Sequence, residues 1–147
     1  RIGYAAGPAK VIGAMKKIQS QSTSNPASIS QAAAQAALDG QQECVAEMVT
    51  AFRERHDYLV KALNDIPGVS CLEGDGTFYV FPSFQGAIDA NSAISDDVQL
   101  AEMLLKDAGV ALVPGSAFGT PGHMRLSFAT SMDVLKEAVT RLKKALG

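Results

Sequence analysis

The chain contains 147 residues with a formal net charge of −2, and 47% of its residues are hydrophobic while 19% are charged. This length suits one domain, or one domain with part of another, and the composition can support a hydrophobic core. The near-neutral charge argues against a nucleic-acid-binding protein, which usually carries a basic excess. The sequence shows no signal-peptide pattern and no apolar run near the roughly 18 residues of a membrane span.

Basic residues are concentrated at the beginning of the chain. Residues 1–40 contain four basic residues and a single acid, namely Arg1, Lys10, Lys16, Lys17 and Asp39. They therefore carry +3 and, with a total of −2, leave −5 for the remainder. Because the first residue is also arginine rather than methionine, we expect the sequence to be part of a longer polypeptide, cut at a point where basic residues are concentrated.

Residues 1–27 predict a strand, a helix and a loop. Residues 1–7 are small and apolar and predict the strand, and Pro8 suits the first turn of a helix that runs to about residue 19. A Ser-, Thr- and Asn-rich loop follows over residues 20–26. An isolated strand lacks partners for its backbone groups, so we interpret residues 1–27 as the edge of another domain.

Residues 28–64 predict a long helical region. Ser28 and Gln31 fit a capping box at its beginning, and an Asp-Gly pair predicts a kink or a break near Gly40. Apolar residues then recur at helical spacing over residues 45–63, with charged residues on the opposite face. This pattern is typical of an amphipathic helix that covers a core.

The last part of the chain alternates short strands with helices. Strand-like runs lie at residues 69–72, 77–81, 110–113 and 124–129, and the first two are predicted to form a hairpin. Ser95, and later Thr130 or Ser131, are predicted helix caps. Asp96 and Asp97 would meet the positive end of the first of these helices. The order predicts a compact α/β arrangement of sheet and helices.

The histidines, cysteines and glycine-rich run do not form a recognisable metal or catalytic motif. His56 continues an apolar helical stripe and is predicted to be a packed or boundary residue, and His123 has no ligand-type neighbour, so no metal site is predicted. Residues 115–122 lack the Gly-Lys-Ser/Thr of a phosphate loop and predict a turn. Cys44 and Cys71 are too few for a disulfide scaffold, which favours a reduced cytoplasmic setting.

Arg125 is the most informative single residue. It is the only charged residue in the run 124–131 and shares its strand face with Ser127 and Ala129. Two interpretations remain open from this pattern. The side chain could be an edge residue whose charged head reaches solvent. Alternatively, the guanidinium could be fixed in a cleft, where its planar fork would bind a carboxylate through two parallel hydrogen bonds.

Four motifs along the chain carry a family resemblance. In order they are RIGYAAGP, GTFYVFP, VPGSAFG and MRLSFATS, and a helix with a Ser/Asn/Pro loop follows the first. Together they resemble the C-terminal portion of a class I/II pyridoxal-phosphate-dependent aminotransferase of fold type I, and most closely the bacterial aspartate aminotransferases. The resemblance covers essentially the whole chain. It implies an α/β fold with a short, mostly antiparallel sheet, helices packed on it and a long interdomain helix.

The resemblance implies roles for particular residues. Arg1 would bind the phosphate of pyridoxal 5′-phosphate, and Arg125 would bind the α-carboxylate of the substrate. Ser24 and Asn25 match a loop that approaches the active site of the partner subunit in a homodimer. The Schiff-base lysine would lie upstream of Arg1, so no catalytic residue is expected in this chain. The isolated chain is therefore expected to be inactive and to lack the cofactor.

The resemblance also implies a domain organisation and a reaction. Residues 1–27 would end the large cofactor-binding domain, residues 28–64 would form an interdomain helical region, and residues 65–147 would form the small domain. The parent enzyme would move an amino group from an aspartate-like amino acid to a 2-oxo acid as a cytoplasmic homodimer, without nucleic-acid or membrane partners. A pyridoxal-phosphate-dependent carbon–sulfur lyase, another fold type I enzyme or a non-catalytic α/β interaction module remain alternatives.

Overall fold

The computed structural model describes residues 2–147. Arg1, for which a phosphate-binding role is predicted, lies outside the described residues. The chain divides into two compact units, residues 1–45 and residues 46–147, and each is described by itself. Among residues 2–147, no helix combines the length and the apolar character needed to cross a membrane.

The first unit is helical. Helix α1 spans Ala9–Ser22, helix α2 spans Ser28–Asp39, and helix α3, Glu43–Asn64, begins here and continues into the second unit. The break between α2 and α3 lies at the predicted Asp-Gly pair. The predicted strand at the beginning of the chain is wrong for residues 2–7, which have no regular secondary structure. A strand needs a neighbouring strand for its backbone groups, and this segment pairs with none of the described residues.

Two helix boundaries in this unit differ from the predictions. Helix α1 continues to Ser22, three residues beyond the predicted end. The predicted capping box of α2 is wrong, because Ser28 is already the first helical residue and Ala27 occupies the cap position without a side-chain hydrogen bond. Gln31 instead donates from Nε2 to the carbonyl oxygen of Pro26 at 2.9 Å.

A short antiparallel sheet organises the second unit. Its strands are β1 (Tyr79–Val80), β2 (Val113–Pro114) and β3 (Met124–Ser127), and β3 lies between the other two. The α/β prediction is confirmed, but the predicted hairpin between residues 69–72 and 77–81 is wrong. Ser70 instead forms one antiparallel bridge with Ser83, beyond the second predicted strand. Strand β1 pairs with β3 rather than with residues 69–72.

The helices of the second unit begin and end at identifiable signals. Helix α4 spans Gln85–Asp89, helix α5 spans Asp97–Met103 and continues as a π-helical turn to Ala108, and helix α6 spans Met132–Leu146. Gly109, with φ of 65°, ends the π-helical turn in a left-handed conformation. Ser131 is confirmed as the cap of α6, since its side chain accepts a hydrogen bond from the Val134 amide.

The predicted cap of α5 is corrected by one residue. Asp96, rather than Ser95, occupies the cap position, and its Oδ1 accepts a hydrogen bond from the Gln99 amide at 2.8 Å. Asp97 lies in the first turn of α5, as predicted, and it is only 1% exposed.

The core of the second unit lies between the sheet, the end of α3 and the later helices. Its fully buried side chains include Leu63, Phe84, Leu100, Leu104, Met124, Phe128 and Leu142. Successive side chains of a strand point to opposite faces. Because Met124 and Leu126 are buried, Arg125 and Ser127 lie on the face of β3 turned away from this core.

The two cysteines are expected to differ strongly in reactivity. Cys44 is exposed, whereas Cys71 is buried and its burial raises the pKa of its thiol to about 11. At pH 8 only about one Cys71 in a thousand would be the reactive thiolate. Brief alkylation with iodoacetamide, followed by peptide mass spectrometry, should therefore modify Cys44 and spare Cys71 until urea unfolds the chain. Equal labelling of both residues in the native chain would contradict this expectation.

Candidate functional site

The side chain of Arg125 lies between two aromatic rings. Its Cζ atom is 4.5 Å from the ring centroid of Tyr79 and 4.7 Å from that of Phe118. Both distances are within the range of cation–π attraction, which favours a guanidinium over the face of an aromatic ring. The residue is half-buried, so the rings restrict the orientation of its guanidinium plane.

The sheet explains why these two rings meet the same arginine. Tyr79 on β1 is directly opposite Ser127, and Arg125 is two residues away on the same face of β3. Such diagonal neighbours are within reach of long side chains. On the other side, Val113 of β2 pairs with Arg125, and the 3₁₀ turn Gly115–Phe118 directly follows β2. One ring therefore comes from β1, and the other comes from the turn that directly follows β2.

The polar edge of the Arg125 guanidinium is available for a ligand. Arginine carries five N–H donors and stays protonated in proteins. None of the ion pairs formed within residues 2–147 involves Arg125. The guanidinium carbon lies over both aromatic rings, and its N–H donors have no carboxylate partner among the described residues. Both sequence-based interpretations of Arg125 place its charged head at the surface, and the binding of a carboxylate by this residue stays a prediction.

Asp97 anchors the turn that carries Phe118. Its Oδ2 accepts a hydrogen bond from the Ser116 amide at 2.7 Å. Burial by itself would raise the pKa of this carboxyl group. Hydrogen bonds from Ser116 and from the backbone of Asp97 and Gly122 outweigh that effect and hold its pKa below the ordinary 3.8. Asp97 is therefore a buried carboxylate whose charged form is stabilised by its hydrogen-bond donors.

Gly115 allows the same turn to close tightly. Its amide donates to the carbonyl oxygen of His123 at 2.7 Å, and its own carbonyl oxygen accepts from the Thr120 amide at 3.0 Å. A Cβ atom at this position would lie 2.7 Å from the His123 oxygen and would also collide with the Thr120 oxygen. Only glycine fits without a backbone shift, and the prediction of a turn in this glycine-rich run is confirmed.

Neither histidine belongs to a metal cluster in the described part of the chain. His56 is a boundary residue, as predicted, because its side chain is 13% exposed and its ring centroid lies 5.9 Å from that of Phe128. Its Nε2 accepts from the Gly74 amide at 3.1 Å. The ring of His123 stacks on that of Phe81. Across residues 2–147, no three His, Cys, Asp or Glu side chains converge in a way that could hold a metal ion.

The other predicted site residues lie in the first unit. Ser24 and Asn25 occupy the loop between α1 and α2. Ser24 has a left-handed conformation with φ of 62°, and its amide donates to the Gln19 carbonyl oxygen at 2.9 Å. Their role beside a partner's active site stays a prediction, as does the phosphate-binding role of Arg1.

Sequence reasoning missed three residues around Arg125. Strand alternation could have indicated Tyr79, because it shares the outer face of the sheet with Ser127. Phe118 was signalled only as an aromatic residue within a glycine-rich turn. Asp97 was recognised only as an acidic residue at the start of a helix, because its contact with Ser116 joins residues 19 positions apart.

A family model described as aminotransferase class I and II matches residues 1–142. The chain belongs to this aminotransferase family. It is 53% identical to an aspartate/prephenate aminotransferase of Nitrosomonas europaea, over 99% of this chain and 38% of that protein. It is also 45% identical to an aspartate aminotransferase of Bacillus subtilis, over 98% of this chain and 36% of that protein.

Solved aminotransferase structures agree with this assignment. The aspartate aminotransferase of Rhizobium meliloti superposes with a TM-score of 0.81 at 43% identity, over 95% of this chain and 36% of that chain. An aromatic aminotransferase of Pyrococcus horikoshii gives a TM-score of 0.81 at 33% identity, over 96% of this chain and 37% of that chain. The chain thus spans somewhat more than a third of the length of these aminotransferases.

Proposed function

We propose that this chain forms part of a pyridoxal-phosphate-dependent aminotransferase and that Arg125 binds the α-carboxylate of its amino-acid and 2-oxo-acid substrates. The observation that carries the proposal is the Arg125 guanidinium between Tyr79 and Phe118, with its donors unpaired within residues 2–147. Family membership and the aspartate aminotransferases among the relatives support an aspartate-like amino donor.

Arg125 would act by binding and orienting the substrate. Two parallel N–H···O bonds to a carboxylate determine both the position and the plane of that group. The aromatic rings restrict the movement of the guanidinium, so a carboxylate bound to it would be held in one orientation. That orientation places the neighbouring Cα–H bond for proton removal. The half-buried setting also strengthens the attraction, since less water screens the two charges.

The described residues fit the substrate end of such a site. Pyridoxal phosphate, when bound, withdraws electrons from the substrate and so makes its Cα proton easier to remove. Arg1 is proposed to hold the phosphate of this cofactor, and Ser24 and Asn25 are proposed to approach the partner's site in a homodimer. The lysine that binds the cofactor is proposed to lie outside this chain.

The domain assignment is also proposed. Residues 1–27 would belong to the large cofactor-binding domain, residues 28–64 to an interdomain helical region, and residues 65–147 to the small domain. We further propose a cytoplasmic setting, supported by two cysteines that are both free thiols.

Product analysis tests the proposed reaction. The whole protein, incubated with aspartate and 2-oxoglutarate, is expected to form glutamate, whereas the 147-residue chain alone is expected to form none. A thioether amino acid serves as the comparison substrate, because a carbon–sulfur lyase would release a thiol from it. Thiol release without glutamate formation would identify the enzyme as a lyase rather than an aminotransferase. Glutamate formation by the isolated chain would contradict the proposal that the cofactor-binding lysine lies outside it.

A further inference from the structure

Asp97 is buried, although its position at the start of helix α5 does not require it to be. Of the charged side chains described by the structure, it alone is buried, at 1% exposure. Burying a carboxylate is unfavourable unless hydrogen bonds replace its lost water. Helix α5 does not require Asp97 as a cap, because Asp96 already accepts the hydrogen bond from the Gln99 amide. Its 2.7 Å partner, the Ser116 amide, lies beyond its own helix.

The carboxylate of Asp97 reaches the turn beside the candidate site. Its Oδ2 is 2.7 Å from the Ser116 amide nitrogen, in the middle of the turn Gly115–Phe118. Phe118 is the last residue of that turn, two positions after Ser116. A shift of the turn would therefore move the Phe118 ring directly.

The two rings on Arg125 are held in different ways. Tyr79 belongs to β1, which pairs with the same central strand that carries Arg125. Phe118 lies outside the sheet and the residue is 49% exposed. Its ring packs edge-on against that of Phe81, at a centroid distance of 6.1 Å. The position of Phe118 thus depends on what holds its turn. Backbone hydrogen bonds of Gly115 close the turn, and Asp97 of α5 adds a side-chain contact to its Ser116 amide.

We propose that Asp97 is a positioning residue for Arg125: its buried carboxylate holds the turn Gly115–Phe118 so that Phe118 stays against the guanidinium. Asp97 touches neither a substrate nor the guanidinium. It acts through the Ser116 amide and the Phe118 ring, which together restrict the plane of the Arg125 fork. The effect on catalysis rests on the proposed function of Arg125, whereas the structural coupling does not.

A spectroscopic test measures the coupling without any substrate. Protons above aromatic ring faces are shielded, so the Nε–H signal of Arg125 should be shifted upfield in the proton–nitrogen spectrum of the 147-residue chain. Asp97→Ala is expected to move this signal back toward the ordinary arginine position. The matched control is Asp96→Ala, which removes the cap of the same helix but has no contact with Ser116.

Steady-state kinetics of the whole aminotransferase test the consequence. Asp97→Ala is expected to raise KM for the amino-acid substrate about threefold to tenfold, a loss in the range of one cation–π contact, with a smaller change in kcat. Asp96→Ala should leave KM near its original value. Asp97→Asn keeps an acceptor oxygen for the Ser116 amide, so it should restore much of the loss.

A double variant distinguishes positioning from general weakening of the fold. If Asp97 acts through Phe118, then Asp97→Ala added to Phe118→Leu should raise KM no further than Phe118→Leu alone. Additive effects, an unmoved Arg125 signal, or equal effects of Asp96→Ala and Asp97→Ala would overturn the proposal. If Asp97→Ala does not fold, the same comparison is made with Asp97→Leu, which fills similar space but offers the Ser116 amide no acceptor. If Asp97→Ala moves the Arg125 signal but leaves KM unchanged, the structural coupling between Asp97 and Arg125 is supported and the proposed substrate role of Arg125 is rejected.

Discussion

Replacing Arg125 with lysine is expected to lower kcat/KM for the amino-acid substrate of the whole aminotransferase by about 10²–10⁴-fold. Hydrogen bonds between charged groups contribute about 1.5–3 kcal/mol each, and a bidentate carboxylate contact contains two of them. Lysine keeps the positive charge but cannot form the planar fork or lie between the Tyr79 and Phe118 rings in the same way. Initial rates at varied aspartate and 2-oxoglutarate concentrations measure the effect.

The control for this variant is Arg141→Lys. Arg141 lies on the exposed surface of α6 and pairs with Glu137 one turn away. Lysine can form a similar surface pair, so kcat/KM should remain within about twofold of the original value. The absorbance of the bound cofactor should persist in both variants, because Arg125 is proposed to contact the substrate alone. Unchanged kcat/KM in Arg125→Lys would remove this residue from the substrate site.

Leu63→Ala is expected to reduce the free energy of unfolding of the second unit by about 2–5 kcal/mol. Leu63 lies near the end of α3, is 0% exposed and belongs to the core beneath the sheet. Truncation removes buried methyl groups and leaves a cavity that the surrounding helices fill only in part. Urea unfolding followed by circular dichroism measures the loss as a lower transition midpoint.

Leu72→Ala is the matched control for the core variant. Leu72 undergoes the same chemical change but is 90% exposed, so its removal opens no cavity. The free energy of unfolding should therefore change by no more than about 0.5 kcal/mol. Equal destabilisation by the two leucine variants would contradict the position assigned to the core.

Local sequence patterns predicted much of the second unit because its elements begin and end at strong local signals. Ser131 precedes α6 and caps it through its own side chain, and Gly109 ends the preceding π-helical turn in a left-handed conformation. Each of these signals acts within a few residues, so it can be recognised without knowledge of the fold.

Predictions of strands were less successful, because a strand depends on pairing with a segment that is distant in the sequence. Residues 2–7 have the composition of a strand, but a strand forms only where another backbone accepts its hydrogen bonds. Ser70 likewise forms a single bridge with Ser83, while β1 pairs with β3. Pairing in a sheet depends on which strands meet, and composition alone does not specify that.

The sequence by itself determined the α/β class, the family resemblance and the choice of Arg125 as the principal candidate. These conclusions depend on local periodicity, on motif order and on a lone charge within an apolar strand. Only the tertiary structure decided that Arg125 lies against Tyr79 and Phe118 and that Asp97 binds the Ser116 amide in the turn carrying Phe118. The physical reason is that β3 lies between β1 and β2, so the environment of Arg125 is assembled from segments far apart in the chain.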